Sequence, residues 1–293
     1  MTRVPAIVIA GPGTNRDGDA RDALELVGAD VEVVLASELI ARPSRLAEAR
    51  LAVVAGGFSH ADALGAGRML ALDLTVGLAD ELRSFVDAGH PLIGICNGFQ
   101  VLTRAGLLPG ALGHNRSGTF DCRWVELAPV ASSVCIWTRG IADTIHAPIA
   151  HGEGRYVHPD PASLAASGQV ALRYCGRNPN GSVDDIAGVC DTTGAVMGLM
   201  PHPENHIVSR QHPLHRRTAA GTANGSANHL GLQIFQNGVR YAEARCCPRR
   251  PPRSPTSTCR STIGATARSG CRTRSPTDTG CSSRPTASPP SIE

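Results

Sequence analysis

Short apolar runs alternate with stretches of helical spacing over the first 105 residues, and this alternation restricts the chain to very few folds. Pro5–Ala10, Leu51–Ala55 and Pro91–Ile95 are near-continuous apolar segments of strand length, and Val31–Leu35 is a fourth strand candidate. Between them, Asp19–Val27 carries Ala20, Ala23, Leu24 and Val27 at helical spacing and stops at Gly28. Leu70–Ala88 reads as one helix ended by Gly89, and Gly98–Ala105 as another stopped by Gly106. Strands that lack a polar face need cover on both sides. The prediction is therefore a three-layer α/β fold, with a largely parallel central sheet and helices on both faces. Ligands of such sheets sit beyond the carboxyl ends of the strands, so the residues just after each strand are where chemistry is expected.

The second half, from Arg123 to Leu199, is richer in short strands: Trp124–Leu127, Ile145–Ala150, Val170–Tyr174, Ile186–Cys190 and Val196–Leu199. Turn signals separate them, which predicts an antiparallel extension of the same sheet or a flap beside it. Ser209–Asn228 is polar and rich in small residues, the composition of a mobile surface loop, and Gly231–Ala244 reads as a last helix. At Cys246 the composition breaks. No Leu, Val, Met or aromatic residue follows, while Pro, Ser, Thr and Arg abound. The expected organisation is one domain over 1–245 and a disordered tail over 246–293, because such a tail buries too little apolar surface to offset its ordering entropy.

Charge follows the same division. The net charge of +3 comes from 28 arginines, with no lysine, against 25 acidic residues. Eight of those arginines lie beyond residue 245, opposed only by Asp278 and Glu293, which leaves 20 against 23 acids in the body. A mildly acidic body without a basic stripe excludes nucleic acid as a partner. No apolar run reaches the ~18 residues of a membrane helix, and the first strand is too short for a signal-peptide centre. A cytoplasmic protein with reduced thiols is expected, since Cys96, Cys122, Cys135, Cys175 and Cys190 are scattered without CxxC spacing.

Three strand ends carry candidate chemistry. In Pro91-Leu-Ile-Gly-Ile-Cys96-Asn-Gly-Phe-Gln100 a buried strand enters Gly94-x-Cys96-x-Gly98 and a helix leaves it. This is the pattern of a nucleophile elbow, where small residues flank a strained turn and the helix N-terminus favours a thiolate. The amide of Asn97 would face a developing oxyanion. Alone, the same string also describes a buried strand cysteine before a glycine-rich turn. Met200-Pro201-His202-Pro203-Glu204 follows the strand Val196–Leu199 and offers a base, His202, with an orienting carboxylate, Glu204, although a His-x-Glu pair is usually just a surface pair. Pro203 disfavours the helix that would align His202 with His206, so no metal site is expected. Ala55-Gly56-Gly57-Phe58 ends a third strand, and Gly57 can supply a second oxyanion amide or serve only as a strand breaker.

The order GGFS, GICNGFQ, HGEGR, NPNGS and MPHPE, from about Ala6 to Tyr241, resembles the class I glutamine amidotransferases, which have a flavodoxin-like sheet. Within them it is most similar to the glutaminase subunit of phosphoribosylformylglycinamidine synthase. That resemblance implies Cys96 as nucleophile, His202 as base and then acid, and Glu204 as orienter of His202. It further implies Gly57 and Asn97 as the oxyanion pair and Gln100 as a contact to bound glutamine. His151, Glu153 and Arg155 of HGEGR fall near the pocket or a subunit interface, or form a structural turn with a satisfied ion pair. Asn205 stands where the family usually has arginine. The implied activity is glutamine hydrolysis, with ammonia passed to a synthetase subunit that makes formylglycinamidine ribonucleotide in purine biosynthesis. A third small subunit is a further implied partner. No GxxxxGK[ST] loop occurs, so no cofactor is expected in this chain, and ATP and Mg belong to the partner. The competing readings are a stand-alone cysteine hydrolase, such as a peptidase or gamma-glutamyl hydrolase, and a lapsed binding module on the same fold.

Overall fold

The apolar runs form strands in chain order, joined by the expected helices. A computed structural model describes residues 3–215 and 230–246. β1 (Val4–Ala10), α1 (Asp17–Leu26) and β2 (Ala29–Leu35) make the first crossover; α2 (Ala36–Ala41), α3 (Ser44–Glu48) and β3 (Leu51–Val54) follow. α4 (Arg68–Gly77) and α5 (Ala79–Asp87) lead to β4 (Leu92–Ile95), and α6 (Asn97–Arg104) leaves it. The second half supplies β5 (Ala111–Gly113), β6 (Asp121–Pro129), β7 (Ile145–His151), β8 (Arg155–Val157), α7 (Pro161–Ala166), β9 (Val170–Tyr174), β10 (Ile186–Cys190) and β11 (Val196–Leu199). A last helix, α8 (Leu232–Cys246), ends the described chain.

One sheet runs in the order β2-β1-β3-β4-β11-β10-β9-β6-β7. The first five strands are mutually parallel, and every pairing from β11 to β7 is antiparallel. The second half therefore extends the same sheet; only β5 and β8 stand apart, as a small antiparallel pair. β3, β4 and β11 are buried at every residue. That burial demands cover on both faces. α1 and α8 pack together on one face, and α2, α4 and α6 form the contiguous layer on the other. Among the described residues no helix is long and apolar enough to cross a membrane.

One expected helix is two. The stretch read as Leu70–Ala88 divides into α4 and α5 at Leu78, whose backbone (φ −139°, ψ 20°) is not helical. The apolar spacing continues through the break, which hides it. At the end of α4, a Cβ on Gly77 would fall 2.6 Å from the Ile40 side chain, so α2 packs directly on the bare backbone there. The chain divides into two units, Met1–Pro248 and Arg249–Glu293, and every described residue lies in the first. The disordered tail expected beyond 245, apart from Cys246, and the part of the expected loop after residue 215 lie outside the described residues.

Close backbone approach fixes the junction between β4 and α6. A Cβ on Gly98 would lie 2.0 Å from the Val54 carbonyl oxygen, and one on Gly94 would lie 2.5 Å from the Gly98 carbonyl oxygen. Gly198 of β11 makes room for the Phe99 ring in the same way. Gly98→Ala should therefore lower the unfolding free energy by about 3 kcal/mol through overpacking against backbone. Gly18→Ala, in α1 with open space around the added methyl, should raise it by about 1 kcal/mol through helix propensity. Urea midpoints at unchanged m-value read both effects.

Candidate active site

Cys96 occupies the turn between β4 and α6 with φ 49° and ψ −103°, a backbone conformation that a non-glycine residue holds only when its surroundings impose it. Its N–H donates to the Leu199 carbonyl at 2.8 Å, so β11 clamps the turn from the side. The sulfur lies 4.0 Å from the Ala150 carbonyl near the end of β7. Cys96 itself is buried.

His202 comes three residues after β11 ends. Its N–H donates to the Pro148 carbonyl at 2.8 Å, and its Nδ1 lies 2.6 Å from Glu204 Oε1, with the two side chains 4% and 0% exposed. Proline on both sides of His202 and a short 3-10 turn over Pro203–Asn205 hold the two groups in one rigid bend. The ring lines the same cavity as Cys96. Burial disfavours the imidazolium, but the Glu204 carboxylate and the Cys96 sulfur outweigh it and push the His202 pKa up to about 10. Thiol, imidazole and carboxylate, from segments more than 100 residues apart, thus meet at one rim.

The paired glycines have tenants that spacing alone does not reveal. A Cβ on Gly56 would lie 2.9 Å from the His202 ring, and one on Gly57 (φ 95°) would lie 2.0 Å from Asn15 Oδ1. Gly57, Asn97 and Gln100 line a cavity of about 300 Å³ together with Cys96 and His202. The Asn97 side chain faces sideways: Oδ1 accepts from Ser59 Oγ at 2.5 Å, and Nδ2 donates to Asp62 Oδ1 and to Gln100 Oε1, each at 3.1 Å. Gln100 Nε2 in turn donates to the Glu153 carbonyl at 2.5 Å. This relay ties the loop after β3 and the turn after β7 to the first turn of α6.

The HGEGR residues part company. His151 and Glu153 line the cavity. Arg155 does not; it sits on β8 and donates from Nε to the Gly181 carbonyl at 3.3 Å. His151 is nearly fully buried and held by Asn115, whose Oδ1 also accepts the Gly154 N–H at 3.0 Å. Burial, together with the nearby charge of His202, pushes the His151 pKa down to about 4, so the ring is neutral at physiological pH. The NPNGS segment props this turn up from beneath: Asn180 Nδ2 donates to the Gly154 carbonyl at 2.7 Å, and the Tyr156 N–H donates to Ser182 Oγ at 3.0 Å. Its role is structural.

Several cavity residues have no cue in the sequence alone. Asp62 lies in a loop of left-handed backbone, and Phe58 and Phe120 stack at 6.2 Å between ring centroids on the cavity wall. Arg16, on the wall near Asn15, was findable only through its place after β1, at the carboxyl end of a parallel strand. His206, although close in sequence, bonds the His146 carbonyl through Nδ1 at 2.7 Å and meets Trp124 edge-on. Asn205, where arginine is usual, donates to Asp19 Oδ2 at 2.8 Å and so fastens the dyad turn to α1.

A mostly parallel, helix-covered sheet with an elbow cysteine beside a buried His–Glu pair defines a class I glutamine amidotransferase fold. The comparisons agree. Residues 3–242 match the CobB/CobQ-like glutamine amidotransferase domain, and the chain belongs to that family. It is 45% identical over 272 residues to phosphoribosylformylglycinamidine synthase subunit PurQ of Treponema denticola, covering 80% of this chain and 98% of that protein. The PurQ subunit of Dehalococcoides mccartyi is 40% identical over 258 residues, covering 83% and 99%. In a solved structure of PurLQS from Thermotoga maritima, a chain 35% identical superposes with a TM-score of 0.67, over 82% of this chain and 99% of that one.

A proton held more tightly by the folded state contributes stability that is complete below the ordinary histidine pKa of about 6.5 and is lost as pH rises through 10. NMR titration of the His202 ring should accordingly find it protonated up to about pH 10. Glu204→Gln should move that midpoint down towards about 6.5, because it removes the largest favourable charge. A wild-type midpoint below 7 would contradict the arrangement.

Proposed function

We propose that this chain is the glutaminase subunit of a phosphoribosylformylglycinamidine synthase, hydrolysing glutamine and passing ammonia to its synthetase subunit. The observation that carries this reading is the closure of the buried His202–Glu204 pair on the Cys96 elbow, at one wall of a cavity large enough for an amino acid. Cys96 Sγ, deprotonated by His202, attacks the side-chain carboxamide carbon of glutamine. The tetrahedral oxyanion is received by the amides of Gly57 and Asn97. Its collapse breaks the C–N bond, and His202 gives the proton that makes ammonia the leaving group. Water, with His202 again as base, cleaves the glutamyl thioester to glutamate and restores the thiol. Glu204 keeps the imidazole in the tautomer and orientation both steps require.

The chain has no phosphate-binding loop for activating the acceptor amide. ATP and Mg therefore act in the synthetase subunit, on formylglycinamide ribonucleotide, and a third small subunit completes a cytoplasmic complex. The similarity to PurQ subunits along nearly their full length supports this placement.

Cys96→Ser in the assembled complex should lower glutamine-dependent amination by at least about a thousandfold, while the ammonia-dependent reaction stays near the wild-type rate. Retained glutamine hydrolysis in that variant would remove Cys96 from the role of nucleophile.

A further inference from the structure

At the amino ends of the strands, away from Cys96, strand register gathers two guanidiniums and an imidazole. β3 and β4 pair with Ala52 beside Leu92, and two residues back along each chain stand Arg50 and His90. The Arg50 N–H donates to the Pro5 carbonyl at 2.8 Å and the Ala52 N–H to the Pro91 carbonyl at 3.0 Å, so both strand starts are fixed. Arg50 Nη1 then lies 3.4 Å from His90 Nε2. The last turn of α8 brings the second guanidinium. Arg245 Nη2 donates to the Ala88 carbonyl at 2.8 Å. Its guanidinium packs on bare backbone, since a Cβ on Gly89 (φ 72°) would fall 2.6 Å from that nitrogen. Arg245 also sits over the Tyr241 ring, 5.6 Å from the centroid, and His90 leans on Phe85 with ring centroids 4.9 Å apart. Arg50, His90 and Arg245 line one cleft of about 370 Å³ together with Ala88 and Ala242.

No carboxylate answers these groups inside the cleft. Among the described residues neither Arg50 nor Arg245 forms an ion pair. Asp80 and Glu81 line a neighbouring cleft that shares Ala88 and His90, and neither is ion-paired to the ring. A guanidinium only donates, so His90 Nε2 accepts from Arg50 and the proton of the neutral ring is on Nδ1. Burial, and then the charges of Arg50 and Arg245, hold the His90 pKa below its ordinary value. Like charges gathered around a cleft gain when an anion lies between them. Donor geometry chooses the anion: two planar forks of N–H groups, one on each side of an imidazole, suit the several oxygens of a phosphate.

We propose that Arg50, His90 and Arg245 form a binding site for a phosphate group, at the other end of β4 from Cys96. A free phosphate ion and a small phosphate monoester present the same oxygens, and the cleft has room for either. The site takes no part in glutamine hydrolysis and does not rest on that reading. Bound phosphate accepts from both guanidiniums and lets His90 take a second proton, which exchanges one long contact between Arg50 and His90 for charge-assisted bonds to a shared anion.

The test follows the His90 ring of the full chain by NMR while inorganic phosphate replaces chloride at constant ionic strength. The midpoint should lie below about 6.5 in chloride and move up past that value as phosphate saturates the site. Arg50→Gln and Arg245→Gln should each weaken phosphate binding by at least about tenfold, the loss expected for one charge-assisted contact. Arg50→Lys keeps the charge without the fork and should recover part of that loss. Arg50 is exposed, so Arg50→Gln carries the test if Arg245→Gln, which frees the Ala88 carbonyl, does not fold. Glutamine hydrolysis by the assembled complex should be unchanged in all three variants. Ribose 5-phosphate separates the sources: binding tighter than that of inorganic phosphate assigns the site to a phosphate monoester, and equal or weaker binding assigns it to the free ion. A His90 midpoint that does not respond to phosphate, or a response of equal strength in Arg50→Gln, would overturn the proposal.

Discussion

The site depends on the contact between the bare α-carbon of Gly98 and the Val54 carbonyl, where α6 leaves β4 almost touching the backbone of β3. Only this approach lets the helix begin immediately after Cys96, and only the resulting turn forces Cys96 into its strained backbone. Such a conformation costs on the order of 1–3 kcal/mol and persists when neighbours over-determine it. Here β3 blocks one side through Val54, and β11 holds the Cys96 N–H through Leu199. Because β11 pairs with β4 in the register Leu199 to Ile95, the strand that clamps Cys96 is also the strand that delivers His202 three residues later. A slip of one residue would turn every side chain of β11 to the opposite face. The register of one strand pair therefore sets the distance between Cys96 and His202.

Much of this was legible because it is written in local terms. Apolar strands without polar alternation forced a covered parallel sheet, GxCxG marked a turn that tolerates no side chain at its flanks, and His202-Pro203-Glu204 put an imidazole and a carboxylate on one bend. What escaped is set by contacts between distant segments. Leu78 breaks a helix whose apolar spacing runs on undisturbed, because the break is decided by α2 packing on Gly77. Left-handed backbone at Phe58, His60, Ala61, Asp62 and Leu64 has no local signature, since none of these residues is glycine and the positive-φ glycines around them are Gly57, Gly65 and Gly67. The paired glycines also make room that spacing alone does not reveal, Gly56 for the His202 ring and Gly57 for Asn15. HGEGR read as one unit, yet only its first half reaches the cavity, because Arg155 has entered β8.

The polar groups around the cavity differ in how they are satisfied, and the difference separates scaffold from site. The supports are complete: Asn115, Asn180 and Ser182 spend their side-chain donors and acceptors on backbone groups, on one another, or on the His151 ring and the Tyr174 hydroxyl. Fully connected buried networks of this kind fix one arrangement. The groups they position are incomplete. Among the described residues, His151 Nε2 and Glu204 Oε2 are buried without a hydrogen-bond partner. Each such atom costs on the order of 1–3 kcal/mol while it stays unpaired.

Glu204 shows why incompleteness is kept. A fully satisfied carboxylate would spread its charge over several donors and have less to offer the imidazole. With one oxygen on His202 Nδ1 and the other unpartnered, its field is directed at the ring, inside a region that excludes water. Removing one member of a buried pair strands the other, so the dyad is stable only as a pair. The same reasoning makes the burial of His202 useful: its proton is held by two specific neighbours, Glu204 and Cys96, and by no solvent. A change of charge at the Cys96 sulfur would therefore alter the proton affinity of His202 at once.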